Sequence, residues 1–97
     1  RNVEGKIKPK RQGRFDNITH MIDEAKLLEK SGNLDEAVGL YNEVLLILPD
    51  SVKVYEAIAD IYSVQGDIES EKDILIKAIA NCSKTDDFKK RLNSLNG

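Results

Sequence analysis

The fold is decided by residues 37–62, AVGLYNEVLLILPDSVKVYEAIADIY, in which two amphipathic patterns meet at a proline. Before Pro49, apolar residues recur at spacings of three and four, which predicts a helix with one buried face. Pro49 cannot continue that helix, and Ser51 can cap the next one. The same spacing resumes at Tyr55. The stretch therefore predicts two consecutive amphipathic helices.

A shift of 34 residues brings similar residues onto one another along most of the chain. A glycine turn lies at the same place in both copies, between two apolar stripes. A helix, a turn and a second helix that recur at this period indicate a helical-repeat architecture. The aligned pairs are Ala25 with Ala59, Leu28 with Tyr62, Gly32 with Gly66, Asn33 with Asp67, Leu34 with Ile68, and Leu45 with Ile79.

Capping residues predict where the flanking helices begin and end. The first helix is expected to start at Asp16 or Asn17 and to end at Gly32 in the left-handed conformation. Asn33 followed by Glu36 forms a capping-box pattern at the start of the second helix. Gly66 closes the third helix, Asp67 caps the fourth, and Asp86 caps a fifth that buries Phe88, Leu92 and Leu95.

The start of each repeat resembles the tetratricopeptide repeat family, whose first helix opens with Trp-x2-Leu-Gly-x2-Tyr. The second copy matches this pattern as Tyr55-x2-Ile58-Ala59-x2-Tyr62. The first copy matches it more loosely, as Met21-x2-Glu24-Ala25-x2-Leu28.

The second helix of each repeat resembles the family's closing pattern, Ala-x3-Phe-x2-Ala followed by a proline. Here the first copy is the better match, as Ala37-x3-Tyr41-x2-Val44 and then Pro49. The second copy reads Glu71-x3-Leu75-x2-Ala78 and then Ser83.

The resemblance implies an all-α fold, a right-handed α-solenoid of antiparallel helix pairs with about five helices. Two glutamates depart from the family pattern: Glu24 replaces an apolar residue and Glu71 a small buried one. We expect Glu71 to extend its stem along apolar surface with the carboxylate in water. The alternative is a buried acid whose partner cation the sequence does not identify. The predicted organisation is a basic tail (1–14) and a helical domain (15–97), made of repeat one (18–51), repeat two (52–85) and a capping helix (86–96).

The resemblance also implies that the first helix of each repeat lines a concave binding face. Its mixed, locally acidic charge suits a basic or mixed-charge peptide or partner helix, and a merely solvated surface is the alternative. The family's subgroup that grips acidic chaperone-type C-termini uses asparagines that are absent here, and Asp60 would repel a carboxylate, so we expect no such ligand. The candidate partner-binding residues are Asp23, Lys26, Lys53, Glu56, Asp60, Ser63 and Arg91.

Charge is divided unevenly along the chain. Residues 1–14 carry six cations against one acid, whereas residues 15–97 carry nine basic and sixteen acidic side chains, which together give the net charge of −2. The tail reads as extended or disordered. It is either a solvated linker or a segment docked on an acidic surface of its own or another copy. A nucleic-acid arm is the weakest of the three interpretations, because no aromatic residues interleave the cations.

No catalytic, metal or cofactor constellation is visible, and we expect a non-enzyme without cofactors. His20 has no neighbouring ligand or nucleophile, and Cys82 lies on an apolar stripe. No run is long enough to span a membrane, and the first expectation is a soluble, cytoplasmic protein. The sequence predicts a protein-interaction scaffold or adaptor. The alternative is an oligomerising assembly element that associates with itself through the repeats or the tail.

Overall fold

Five α-helices make up the described part of the chain, residues 13–96, which contains no strand. In the computed structural model, side chains are described from residue 17 to residue 96. The all-α class and the number of helices predicted from the sequence are confirmed. The helices are α1 (Gly13–Lys30), α2 (Leu34–Ile47), α3 (Val52–Gln65), α4 (Ile68–Asn81) and α5 (Asp86–Asn96).

Each helix packs against the next one in the chain, from α1 on α2 to α4 on α5. Turns of two or three residues connect α1 to α2 and α3 to α4, so each of these packed pairs forms an antiparallel hairpin. The contacts within α1–α2 and within α3–α4 are more extensive than those between α2 and α3. The architecture is therefore two helical hairpins, joined through α2 and α3, with α5 packed on the second hairpin.

The turns inside the two hairpins have the same geometry. Gly32 has φ of 85° and Gly66 has φ of 74°, a region that favours glycine because it has no Cβ. In the first turn, the amide of Asn33 donates to the carbonyl of Leu28 at 2.8 Å; in the second, the amide of Asp67 donates to Tyr62 at 2.9 Å. These bonds satisfy carbonyls at the helix end in a Schellman arrangement. The predicted left-handed termination at Gly32 is confirmed.

The starts of the second helices differ between the hairpins. Asp67 caps α4 as predicted, since its carboxylate accepts from the amide of Ser70 at 3.2 Å. Asn33 precedes α2 but makes no side-chain capping bond, so the predicted capping box is wrong. Ser51 likewise precedes α3 without a side-chain capping bond. Sequence spacing identifies the residue before a helix, but the side-chain rotamer decides whether it caps.

The hydrophobic core contains buried residues from all five helices. Small residues lie where paired helices approach, and Ala25, Ala37, Ala59 and Ala78 are all fully buried. Close approach of antiparallel helices requires one of them to contribute little bulk at the contact. The larger core side chains are Ile18, Val38, Tyr41, Val44, Leu45, Val54, Tyr55, Ile58, Ile61, Ile74, Leu75 and Phe88.

Tyr55 fixes the junction between the hairpins and the position of α5. Its hydroxyl donates to the carbonyl of Pro49 at 2.7 Å, which ties α3 to the turn that follows α2. Its ring meets Phe88 of α5 edge to face, with centroids 6.3 Å apart. Of the three residues predicted to be buried in the capping helix, Phe88 is buried, and Leu92 and Leu95 are partly buried and pack against the core.

Two predicted boundaries need correction. The first helix begins at Gly13, before the predicted start at Asp16 or Asn17. Asp86 is the first residue of α5 and not the residue before it, a place taken by Thr85. The rest of the predicted tail, residues 1–12, lies outside the described residues.

Candidate partner-binding surface

The seven residues predicted to bind a partner lie on α1, α3 and α5. Five of them are exposed, and Glu56 and Arg91 are half-buried. Lys26 and Asp60 occupy equivalent places in the two hairpins, one 34-residue period apart. We refer to the seven as the first-helix surface: Asp23 and Lys26 on α1, Lys53, Glu56, Asp60 and Ser63 on α3, and Arg91 on α5.

Arg91 is the centre of the ion pairing on this surface. One of its terminal guanidinium nitrogens (Nη1) is 2.9 Å from the carboxylate of Asp60 on α3. Its Nε donates to the carboxylate of Glu71 on α4, also at 2.9 Å. A guanidinium suits this role because it presents several donors in a fixed planar fork. Arg91 therefore holds α5 against both helices of the second hairpin.

Glu71 is buried, contrary to the prediction that its carboxylate would reach water. The residue is 3% exposed, at the place that fully buried Ala37 takes in the first hairpin. A buried carboxylate needs a charged or hydrogen-bonding partner, and Arg91 supplies both. One sequence signal points to the pair: Arg91 is the only arginine in residues 15–97, and arginine is preferred over lysine in buried pairs.

The environment of Arg91 favours its charged form. Burial alone would lower the pKa of the guanidinium, but the hydrogen bonds to Asp60 and Glu71 oppose that effect and the pKa is raised. The guanidinium thus stays charged throughout the physiological range. Its positive charge offsets the carboxylate of Asp60, whose side chain is 64% exposed.

The first-helix surface is consequently less acidic than the sequence suggested. With Asp60 paired, its remaining charged groups are Asp23, Lys26, Lys53 and Glu56, two of each sign. They make no ion pair within residues 17–96. Charges of both signs, exposed along two helices, favour a ligand of mixed charge over a uniformly basic one.

A second polar contact, between Tyr41 and Glu29, was not predicted. The hydroxyl of Tyr41 on α2 donates to the carboxylate of Glu29 on α1 at 2.5 Å. Burial, followed by the bond to Glu29 and its negative charge, raises the pKa of Tyr41 above its usual value. The equivalent residues of the second hairpin, Leu75 and Ser63, cannot make this bond. The two hairpins therefore have different polar contacts: the bond between Tyr41 and Glu29 joins the helices of the first, and Arg91 bridges the helices of the second.

The residues considered for catalysis are not brought together. His20 is exposed on α1, and half-buried Cys82 follows α4 at the far end of the repeats. Burial, and then the charge of Asp50, raises the pKa of the Cys82 thiol, which disfavours the reactive thiolate. Across the described residues there is no group of three or more metal-ligating side chains. No helix in the same part of the chain is long and apolar enough to cross a membrane.

Comparison of the chain with protein-family models, curated proteins and solved structures gave no match.

Proposed function

We propose that this chain is a protein-interaction module of the tetratricopeptide type, which holds a peptide or partner helix on a concave face formed by its first helices. The observation that carries the proposal is the structural repeat. Ala25 and Ala59, one period apart, are both fully buried, and Gly32 and Gly66 end the first helices of the two hairpins with the same positive φ. A right-handed solenoid is the arrangement in which stacked hairpins of this kind present one continuous surface.

The chemistry of the first-helix surface supports a mixed-charge ligand. Lys26 and Lys53 can pair with acidic groups, and Glu56 with a basic one, along neighbouring turns. A chaperone-type acidic C-terminus is a poor ligand for this surface, because Asp23 and Glu56 lie on it together with the lysines and would repel a carboxylate. Nucleic acid fits poorly for the same reason, since carboxylates would repel its phosphates.

Affinity capture with the full chain and a matched pair of variants tests this proposal. Lys26→Glu/Glu56→Lys reverses two charges on the first-helix surface and leaves both the net charge and Asp60 unchanged. Glu69→Lys/Lys77→Glu does the same at two exposed positions of α4. We expect partners to be lost, by about tenfold in affinity or more, only with the first double variant. Equal loss with both variants, or with neither, would contradict the proposal.

Exposed apolar side chains favour a second candidate, the oligomerising assembly element. Leu46 on α2 is 85% exposed and Val64 on α3 is 77% exposed. Such residues are common singly on soluble proteins, but contact between copies would bury them. Light scattering of the full chain separates the two candidates, because a monomer whose mass does not change with concentration removes the assembly function.

A further inference from the structure

An open apolar groove runs between α1 and α2. It encloses about 400 Å³. Its apolar residues are half-buried, and a glycine in the middle of α2 leaves the space above its backbone empty within 4 Å. We call it the N-terminal groove, lined by Glu24, Leu28, Glu36, Gly39, Leu40 and Glu43.

The 34-residue period shows what covers the equivalent groove in the second hairpin. That groove encloses only about 210 Å³. Asn42 of α2 contributes to its lining, so the helix that precedes α3 in the chain closes part of it. Five of the residues that line it on α3 and α4 are one period from residues of the N-terminal groove, namely Tyr62, Ser70, Asp73, Ile74 and Lys77. By this equivalence, the segment that precedes α1 is the natural cover of the N-terminal groove.

The charge of the N-terminal groove distinguishes it from its counterpart. Glu24, Glu36 and Glu43 surround the apolar floor, where the second hairpin has Ile58, Ser70 and Lys77 (these six positions form three equivalent pairs). None of the three glutamates makes an ion pair within residues 17–96. Three carboxylates around an apolar floor are complementary to a segment with cations on both sides of an apolar side chain.

We propose that residues 6–11 of this chain, KIKPKR, bind in the N-terminal groove of the same molecule. Their four cations meet the three glutamates, and Ile7 covers the apolar floor of Leu28 and Leu40 from the side of Glu24. The absence of a side chain at Gly39 lets the segment approach the backbone of α2. The N-terminal groove shares no residue with the first-helix surface.

The chain is long enough for this contact. Glu24 lies eleven residues beyond Gly13, roughly 17 Å along the axis of α1. Ile7 lies six residues before Gly13, and an extended segment of that length reaches roughly 20 Å. The segment can therefore fold back beside α1 and bring Ile7 to the level of Glu24, at the end of the groove nearer to Gly13.

Disulfide trapping in the full chain tests the proposal, with Cys82→Ser as the background. Ile7→Cys is combined with Gly39→Cys in the groove or, as the control, with Lys26→Cys on the first-helix surface. A docked segment raises the effective concentration of the two thiols. We expect an intramolecular disulfide to form at least about tenfold faster with Gly39→Cys than with the control. Replacing the three glutamates by glutamine should remove that advantage.

Equal rates for the two pairs, or an advantage that survives the glutamine substitutions, would overturn the proposal. Disulfides that form mainly between chains would also overturn it, since they assign the groove to a second copy. A second measurement needs no cysteine variants, so it tests the contact even if those variants do not fold. In methyl NMR spectra of the full chain, Lys6→Glu/Lys8→Glu should shift the signals of Leu28 and Leu40, whereas the control Lys89→Glu/Lys90→Glu should not. Unmoved groove methyls would reject the contact.

Discussion

The first helices of the two hairpins, α1 and α3, show how the same place in the repeat changes with its surroundings. α3 packs against α2 and α4, and its stripe of Val54, Ile58 and Ile61 is buried. α1 has extensive contacts only with α2, and its equivalent residues, His20, Glu24 and Leu27, are exposed (these are the same stripe one period earlier). Glu24 is therefore compatible with the repeat, because that stripe of α1 has no helix against it in the described structure.

The last helix, α5, shows the complementary difference. Its residues equivalent to the buried stripe of α3 are Phe88, Leu92 and Leu95, which pack on the core. A second stripe of α3, which begins with buried Tyr55 and Ala59, is replaced in α5 by exposed Lys89 and Asn93. One stripe of α5 is apolar where it meets the second hairpin, and the other is polar where no further helix is described. In α1, α3 and α5, a stripe is thus apolar where another helix packs against it and polar or exposed where none does.

The largest change in stability is expected when equivalent positions of α1 and α3 are given each other's residues. Ile58→Glu places a carboxylate at a fully buried position without a partner, and we expect it to cost about 4 kcal/mol or more, enough to unfold most of the chain. Glu24→Ile, at the exposed equivalent, should change the free energy of unfolding by about 0.5 kcal/mol or less. Urea denaturation followed by circular dichroism measures both. Similar costs at the two positions would contradict the comparison.

Replacement of Arg91, whose two ion-pair partners both lie in the second hairpin, should have the next largest effect. Arg91→Met leaves the carboxylate of Glu71 buried and unpaired, at a cost of about 2 to 3 kcal/mol. Asp60→Asn removes only the exposed ion pair between Arg91 and Asp60, and should lower the free energy of unfolding by about 1 kcal/mol or less. Both costs are free energies of unfolding from urea titrations.

A double variant shows whether the loss comes from the unpaired charge. Arg91→Met combined with Glu71→Met replaces the pair by apolar side chains and should recover most of the stability. If the double variant is as unstable as Arg91→Met alone, Arg91 stabilises the chain through contacts other than the bond to Glu71.

The hydrogen bond between Tyr41 and Glu29, in the first hairpin, is expected to contribute less to stability than the contact between Arg91 and Glu71. Tyr41→Phe removes the bond to Glu29 and should cost about 1 to 2 kcal/mol. Tyr62→Phe is the control, because the described residues offer the Tyr62 hydroxyl no hydrogen bond, and it should cost about 0.5 kcal/mol or less. Equal costs would mean that the bond between Tyr41 and Glu29 contributes nothing net. Thermal or urea unfolding at neutral pH distinguishes these outcomes.

Alkaline pH provides an independent test of the same contact. Burial is the main cause that raises the pKa of Tyr41, Tyr55 and Tyr62 in the folded chain. The unfolded chain therefore loses its tyrosine protons first, at about pH 10, and the free energy of unfolding falls as the pH rises above that value. Tyr41→Phe should fall less steeply than the wild type between about pH 10 and 12. Parallel curves would contradict the shift at Tyr41.

The two second-helix starts should give the smallest difference. Asp67→Ala removes a capping bond to the amide of Ser70 and should cost about 1 kcal/mol. Asn33→Ala, one period earlier, removes no capping bond and should cost about 0.5 kcal/mol or less. Thermal unfolding of the two variants side by side measures the difference. A larger loss for Asn33→Ala would restore the capping box predicted from the sequence.

The elements of the fold that were predictable from the sequence are those set by local signals. Apolar spacing, Pro49 and the glycines at 32 and 66 act within a few residues, so they fixed the helices and the hairpin turns. The contact between Arg91 and Glu71 was not predictable in that way, because 20 residues separate the partners. Only packing of α5 on α4 brings them together. The same reason hid the bond from Tyr41 to Glu29, which crosses a helix pair.

The seven partner-binding residues were placed by helical register, and the structure puts them on the three expected helices. Register does not reveal pairing, and so it could not show that Arg91 is engaged with Asp60 and Glu71. The sequence thus overstated the negative charge of the first-helix surface. It also gave no sign that the three glutamates of the N-terminal groove lie together, because they belong to two different helices.

NMR titration of the isotope-labelled full chain with a captured partner shows directly whether partners bind the first-helix surface. We expect the largest amide shifts at Lys26, Lys53 and Ser63, on the exposed sides of α1 and α3. Glu69 and Lys77 of α4 should stay unmoved. Shifts confined to α2 and α4, with none on the first-helix surface, would contradict the claim.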